Sequence, residues 1–555
     1  MIHLGRFHAL STSDIRRQNS LRAWRAAEFH KTKYARKSRE AAPAVDARLD
    51  HAVRACHAAP PPFRPASKPR TNRKKYGSMA TRRRPDIKQL DCLDYWRFII
   101  ARRFPAIYRN SIQSIKRPMF ESFNKDVIDA FARNKRRLTK NAASRQVRAL
   151  LDEVGASAFK LLPHPFLFPA DEFEMLARRA RALLRAQNKI VRHLCRHRPR
   201  ADLLAQCSLN PALARYVDWD ELEAGRRRVA RVDILPLPDG YAVCELNFSA
   251  AVGGAELFDC HRRFMQASGW PACERGGSPY ANLRALYEDT LRSMEIDRIV
   301  LLDWSSHAAR GYATPELARR YLAGIGNGMP VDVHTELTYP SKWLGNGRGK
   351  GILIHRNFVY DDVTVNADRF DAIHRSGATF SNGLEAELLM SKAWLALLCD
   401  ARFHPLLDED EIAAIRNHVP HTFRLDEGTF AEALAHKDEW VFKLNVSYGG
   451  VDVLIGKDHP ADALADRLRR QGIANWICQA FRAVQTIRHP FDDTFVAAEH
   501  KPVLGMYLHR DDASGMALRS NRFSSVVNAG SGAGVHWAAV VTEAEKAALL
   551  AAMDG

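Results

Sequence analysis

The 555-residue chain lacks any apolar run approaching the roughly 18–20 residues that carry a helix across a bilayer. Its opening MIHLGRFHAL lacks the roughly 7–15-residue apolar core of a secretory signal. Cysteine is sparse and scattered, with nine thiols at 56, 92, 195, 207, 244, 260, 273, 399 and 478, no CxxC pair and no zinc-like spacing. An odd, dispersed set argues against a disulfide framework and predicts a reducing, cytoplasmic setting, with several thiols acting as small hydrophobes. No Cys/His or Ser/His arrangement marks a covalent nucleophile.

Acidic residues are short in one place only. Residues 1–85 hold 21 Lys and Arg against five acids, so about +16 of the formal +20 lies there and the other 470 residues carry about +4. This tail, with KTKYARKSRE, a proline-rich stretch and TNRKK, has little apolar periodicity and is expected to be disordered. Three readings fit it: a basic arm for nucleic acid or membrane, an Arg-rich targeting segment, or a stretch foreign to the folded protein, with Met79 as the start. The apolar fraction of 46% is ordinary for globular protein, and the length predicts more than one domain.

The most informative stretch is RVDILPLPDGYAVCELN, from Arg231 to Asn247. Two apolar runs flank Pro238-Asp239-Gly240, which reads as a β-hairpin with a three-residue loop. Centring that loop on Asp239 sets Asp233 opposite Glu245 and Arg231 opposite Asn247, all on one face, because side chains two apart share a face. The remaining strand positions are apolar on both faces, as in buried strands. Facing carboxylates repel, and burying them unpaired is costly. A hard cation such as Mg²⁺, taking the two carboxylates and the amide oxygen, resolves the conflict. A surface hairpin whose acids pair with Arg231 and water is the other reading.

The rest of the chain reads as segments. Residues 86–225 show helical periodicity and basic faces, and Asp171 followed by Glu174 predicts a capping-box relative at one helix start. The segment 226–280 carries the hairpin and a Gly253-Gly254 turn. Strands and helices alternate over 281–380 (RIVLLDW, VDVHTE, KGILIHRNFVYDDV), which predicts a small α/β layer. In 381–555, WVFKLNVSYGGVDVLIG carries Lys443 out of an apolar run into a Gly449-Gly450 turn, a pattern that suits a hairpin lid over a nucleotide. WICQAF is a strand reaching Gln479, and the glycine-rich run including Gly530 to Gly534 precedes a closing helix.

With these residues in place, the sequence resembles the circularly permuted, glutathionylspermidine synthase-like branch of the ATP-grasp superfamily. That family's synthetase domain carries Arg-x-Asp and then Glu-x-Asn twelve residues after the Asp, which here are Arg231, Asp233, Glu245 and Asn247. Ser391-Lys392-Ala393 before a Leu-rich helix, HVPHT, Lys443 before a glycine pair and Gln479 follow in the family's order, over Arg231 to Trp537. The resemblance implies an α+β, permuted ATP-grasp fold with a pre-ATP-grasp-like α/β layer and an N-terminal helical region. It implies ATP and Mg²⁺ as cofactors. By the same resemblance Asp233, Glu245 and Asn247 would hold metal, Lys392, Lys443, Gly449, Gly450 and Gln479 would hold nucleotide, and Arg231 would lie at the transferred phosphate. The activity implied is carboxylate–amine ligation through an acyl phosphate, with small-molecule acid and amine partners, free or peptide- or carrier-bound.

Departures from the family pattern bear on the substrate. Phe248-Ser249-Ala250-Ala251 stands where the family has Thr-Pro, no lysine follows the glycine pair, and Ala480 follows Gln479. Residues 86–225 show no Cys/His amidase, which argues against a bifunctional synthetase/amidase. A phosphotransferase that stops short of the amide and a nucleic-acid-binding protein acting through its tail remain alternatives.

Overall fold

The computed structural model describes residues 120–134, 145, 149, 160–161, 166–248, 253–309, 314–490, 496–528 and 532–554. The basic tail with Met79, the periodic stretches between 90 and 119, Ser249 to Ala251 and residues 529–531 lie outside the described residues. Contacts divide the chain into two units, Met1–Arg109 and Asn110–Gly555, and every described residue belongs to the second. Its fold is mixed α+β, with helices and three sheets among the described residues.

In chain order, β1 (Lys160–Leu161) and β2 (Phe166–Pro169) precede a helix at Ala170–His197. The expected cap from Asp171 and Glu174 does not form: Pro169 occupies the cap without a side-chain bond, and the Asp171 Oδ1 accepts only its neighbour's N–H, from Glu172 at 2.9 Å. Proline suits this border, because its ring fixes φ near the helical value and the first helical N–H groups have no partner within the helix. Phe173, Leu176, Ala180, Leu183, Leu184, Ile190, Val191 and Leu194 recur at helical spacing and form its buried stripe. No helix among the described residues is long and apolar enough to cross a membrane.

Next come β3 (Val229–Leu237) and β4 (Gly240–Asn247), then a helix at Glu256–Ser268 after the Gly253-Gly254 turn. Strands β5 (Arg298–Asp303), β6 (Val331–Thr335), β7 (Ile352–Arg356) and β8 (Thr379–Ser381) form a parallel sheet in the order β6-β5-β7-β8. The strand expected over KGILIHRNFVYDDV covers only β7. The chain turns into a short helix, Tyr360–Val363, where the Asp362 Oδ2 accepts the Val359 N–H at 3.2 Å. A local carboxylate–backbone bond of this kind competes with continued pairing.

Strands β9 (Thr422–Arg424), β10 (Trp440–Leu444), β11 (Val453–Ile455) and β12 (Trp476–Ala480) form an antiparallel sheet in the order β11-β10-β12-β9. The chain then returns to the first sheet with β13 (Ile487–Pro490), β14 (Ala497–His509), β15 (Asp512–Asn521) and β16 (Gly534–Val541). That sheet has eight strands on the path β1-β16-β15-β14-β3-β4, with β13 beside β14 and β2 beside β16. Segments more than 250 residues apart in sequence thus lie side by side: Asp233 on β3 pairs with Gly505 on β14. Val232, Ile234, Leu504, Met506, Leu518 and Val540 build the core on one side of the sheet. Leu167, Phe264, Ala539 and Val541 belong to a second core.

Candidate functional site

The hairpin turns differently from its sequence reading. Leu237 pairs with Gly240, so the loop is the two residues Pro238-Asp239, not three. Continued without interruption, that register would put Asp233 and Glu245 on opposite faces. A bulge intervenes: Ile234 pairs with Val243, Asp233 with Glu245, and Cys244 is the extra residue. Beyond it the pairing of Asp233 with Glu245 and Arg231 with Asn247 is restored. The Cys244 carbonyl, released from the ladder, accepts the Lys443 ammonium at 2.8 Å, while its thiol donates to the Asp233 carbonyl at 3.4 Å.

Asp233 is buried between two guanidinium groups. Arg231 donates through Nε to Oδ1 at 2.8 Å and through Nη2 to Oδ2 at 3.2 Å, and the Arg519 Nη2 lies 2.6 Å from Oδ2. Burial alone would raise the Asp233 pKa, but Arg231 and then Arg519 outweigh it and hold the carboxyl at about 2. Arg231 also donates to the Gly253 carbonyl at 3.0 Å, which accepts the Tyr507 hydroxyl at 2.7 Å as well. The Arg231 side chain lies flat over β14 because Gly505 has no side chain; a Cβ there would stand 2.7 Å from Arg231 Cδ. Gly505→Ala is therefore expected to lift Arg231 off Asp233 and destabilise the fold by about 1–3 kcal/mol, the usual cost of overpacking. Unchanged urea midpoints would contradict that reading.

Glu245 meets Lys392 at 2.9 Å (Oε1 to Nζ). The lysine is fixed by the segment that follows β10: its N–H donates to the Asn445 carbonyl at 2.8 Å and its ammonium to the Ser447 carbonyl at 2.9 Å. Lys443 donates to the Gln479 Oε1 at 2.7 Å, and the Gln479 Nε2 donates to Thr422 Oγ1 at 3.2 Å, so the amide orientation follows from its partners. Burial lowers the Lys443 pKa, against attraction from Cys244 and Glu245. Asn247 donates to the Arg231 carbonyl at 3.3 Å, which leaves its Oδ1 as an acceptor.

Seven sequence-selected residues (Arg231, Asp233, Glu245, Asn247, Lys392, Lys443, Gln479) are therefore brought together, with the Asp233–Glu245 strand pairing and the Cys244 carbonyl completing the links between the large sheet and the antiparallel one. Gly449 and Gly450 contribute backbone, not contacts to these groups. Their φ of 66° and 71° is the left-handed region, and a Cβ on Gly450 would sit 2.8 Å from Val526. The preceding Tyr448 donates its hydroxyl to Glu387 Oε2 at 2.7 Å, and the other carboxylate oxygen of Glu387 takes Arg356 Nη1 at 2.6 Å. This ties the glycine turn to the end of β7.

Arg519, Tyr507 and the Glu387–Arg356 pair escape the sequence reading. A lone arginine inside the apolar run GMALRS was the available signal for Arg519; its partner, 286 positions away in the chain, was not visible. Among the described residues no group of three or more His, Cys, Asp or Glu side chains is gathered to hold a metal. Asp233, Glu245 and Asn247 offer two carboxylates and an amide oxygen, oxygen donors that fit Mg²⁺ in type, with Asp233 here engaged by Arg231 and Arg519 and Glu245 by Lys392.

No protein-family model matches the chain, and no curated protein matches it in sequence. The solved structure of a glutathione synthetase-like effector (GSS30) from Globodera pallida, in its apo form, is similar to it at 13% identity and a TM-score of 0.45, the match covering 71% of this chain and 96% of that one.

Proposed function

We propose that the protein is an ATP-dependent carboxylate–amine ligase of the circularly permuted ATP-grasp type. The observation that supports this best is the convergence of two buried lysines, Lys392 and Lys443, on the bulged hairpin carrying Arg231, Asp233, Glu245 and Asn247. Two buried ammonium groups beside hard oxygen donors suit a polyphosphate, whose charge both would neutralise.

Asp233, Glu245 and Asn247 would hold Mg²⁺, which when bound neutralises the β- and γ-phosphate charge. Lys392 would exchange its partner Glu245 for a phosphate oxygen, and Lys443 would turn from Gln479 and the Cys244 carbonyl to another. Arg231, always protonated, would stabilise charge on the transferred phosphoryl or the acyl-phosphate oxygen. The Gly449-Gly450 turn would cover the nucleotide and exclude water, which protects an acyl phosphate from hydrolysis. The acid and amine are small molecules or carried chains, and the chemistry needs no nucleophilic side chain.

The test is ADP release from Mg-ATP in the presence of panels of acids and amines. Lys392→Ala and Lys443→Met should each lower turnover about 100-fold or more, the scale of removing one preorganised charge from a reacting group. Turnover near wild type in both variants would reject the assignment.

A further inference from the structure

The charged groups around the bulged hairpin are already paired within the chain. Asp233 lies between two guanidinium groups, with Oδ1 on Arg231 Nε at 2.8 Å and Oδ2 within 2.6 Å of Arg519 Nη2. Glu245 Oε1 meets Lys392 Nζ at 2.9 Å. Lys443 is held by the Cys244 carbonyl at 2.8 Å and by Gln479 Oε1 at 2.7 Å. Glu256, a further acid beside Arg231, accepts the Gly254 N–H at 3.0 Å. Two hairpin carboxylates thus face Arg231, Arg519, Lys392 and Lys443.

This pairing decides what the carboxylates accept. A bare divalent cation has to draw Asp233 and Glu245 away from guanidinium and ammonium groups that stay behind, buried beside the new charge. Lys392 does not escape into solvent to relieve that. Its side chain is 3% exposed, and its ammonium is anchored on the Ser447 carbonyl at 2.9 Å. Glu245 is the more open member of the pair, at 27%, so the contact is reached from solvent on the carboxylate's side. A polyphosphate changes the balance, because it supplies an oxygen to each cation that releases a carboxylate. The cations turn to phosphate and the carboxylates to metal in one exchange, which leaves no buried charge unpaired.

We propose that Lys392 and Arg519 make the site reject free divalent metal: Lys392 is the internal counter-ion of Glu245 and yields it only when a polyphosphate takes the ammonium. Metal then enters with the nucleotide and not before it. Arg519 secures Asp233 in the same way from the side of β15. This rests on the nucleotide reading of the site, and adds to it an order of binding and a role for Arg519.

The experiment is equilibrium dialysis of Mn²⁺, standing in for Mg²⁺, against the full chain, with and without the non-hydrolysable analogue β,γ-imido-ATP. Wild type should hold no Mn²⁺ saturably up to about 10 mM without the analogue, well above the roughly millimolar affinity of a weak oxygen-donor site. With the analogue it should hold Mn²⁺ saturably. Lys392→Met leaves Glu245 without its counter-ion and should gain nucleotide-free Mn²⁺ binding about tenfold or more tighter than wild type. Lys392→Met with Glu245→Gln should lose that gain, and Lys392→Arg, which keeps the charge, should not show it. A lysine that served only the fold would change stability and leave metal affinity alone. Wild type that holds Mn²⁺ without nucleotide as tightly as Lys392→Met overturns the proposal and leaves the nucleotide reading standing. A folded Lys392→Met that gains no Mn²⁺ overturns it as well. Wild type that holds no Mn²⁺ with the analogue present rejects the nucleotide reading, and this proposal with it. If Lys392→Met does not fold, wild-type crystals soaked in Mn²⁺ decide: manganese on Glu245 without nucleotide overturns the proposal, and manganese there only with the analogue supports it.

Discussion

Asp233→Ala is expected to lower stability by about 3–5 kcal/mol, because it leaves the guanidinium groups of Arg231 and Arg519 buried beside each other without their shared counter-charge. Asp233→Asn keeps the shape but not the charge, so it should also be strongly destabilising. The pH dependence follows from the same contact. The folded carboxyl titrates at about 2, below the roughly 3.9 of an unfolded aspartate. A depressed carboxyl pKa contributes stability that is fully present above the unfolded value and is lost as pH falls from about 4 through about 2. The contribution is about 2 kcal/mol at neutral pH. Urea midpoints of wild type and Asp233→Asn, measured between pH 6 and pH 2, should therefore converge as the pH falls. A constant gap across that range would mean that Asp233 is not paired as described.

Arg356→Ala should be comparably damaging, by about 3–5 kcal/mol, since it strands a buried carboxylate. Arg356 is fully buried, and its guanidinium holds Glu387 together with the carbonyls of Phe358, Asn382 and Gly383. Those bonds join the ends of β7 and β8 to the segment that leads to Lys392. Glu387 in turn holds Tyr448 beside the glycine pair. Loss of Arg356 should therefore appear twice, as a lower unfolding midpoint and as faster protease cleavage within residues 445–452. Tyr448→Phe removes only the last bond. It should reproduce the faster cleavage with a stability loss near 1 kcal/mol, the usual value of one hydrogen bond. Cleavage at the wild-type rate in both variants would show that the turn is not tethered through Glu387.

The hairpin was legible because its signals are local: two apolar runs, a Pro-Asp-Gly turn and polar residues at matched positions. Its loop was not. Proline, aspartate and glycine fit both loop lengths, and the extra residue is Cys244, which looks like any other apolar member of the run YAVCEL. Two differences from the simple hairpin, a shorter loop and a bulge, offset each other, so the facing of Asp233 and Glu245 follows from either count. The parallel layer was legible from the unalternating apolar runs Ile299 to Leu302 and Ile352 to Ile354, which become the buried centres of β5 and β7.

The centre of the eight-stranded sheet was harder. Strand β15, DASGMALRSN, mixes small and polar residues and carries little strand signal, yet it brings Arg519 to Asp233. Its position is set by pairing with β14, which itself pairs with β3 far away in the chain. Contacts of that kind depend on sheet order, which periodicity does not encode. Likewise Lys392 and Lys443 were selectable one by one, but their meeting at the hairpin depends on how the antiparallel sheet packs on it.

If the bulged hairpin and the two lysines form the metal-dependent nucleotide site proposed above, the chain binds ATP only with Mg²⁺. Calorimetric titration of ATP into wild type and Glu245→Gln, each with Mg²⁺ and with EDTA, tests it most directly. Binding to wild type should require Mg²⁺ and fall at least tenfold in the variant, with both proteins folded. Wild type that binds no ATP in Mg²⁺, or binds equally well in EDTA and in the variant, would contradict it.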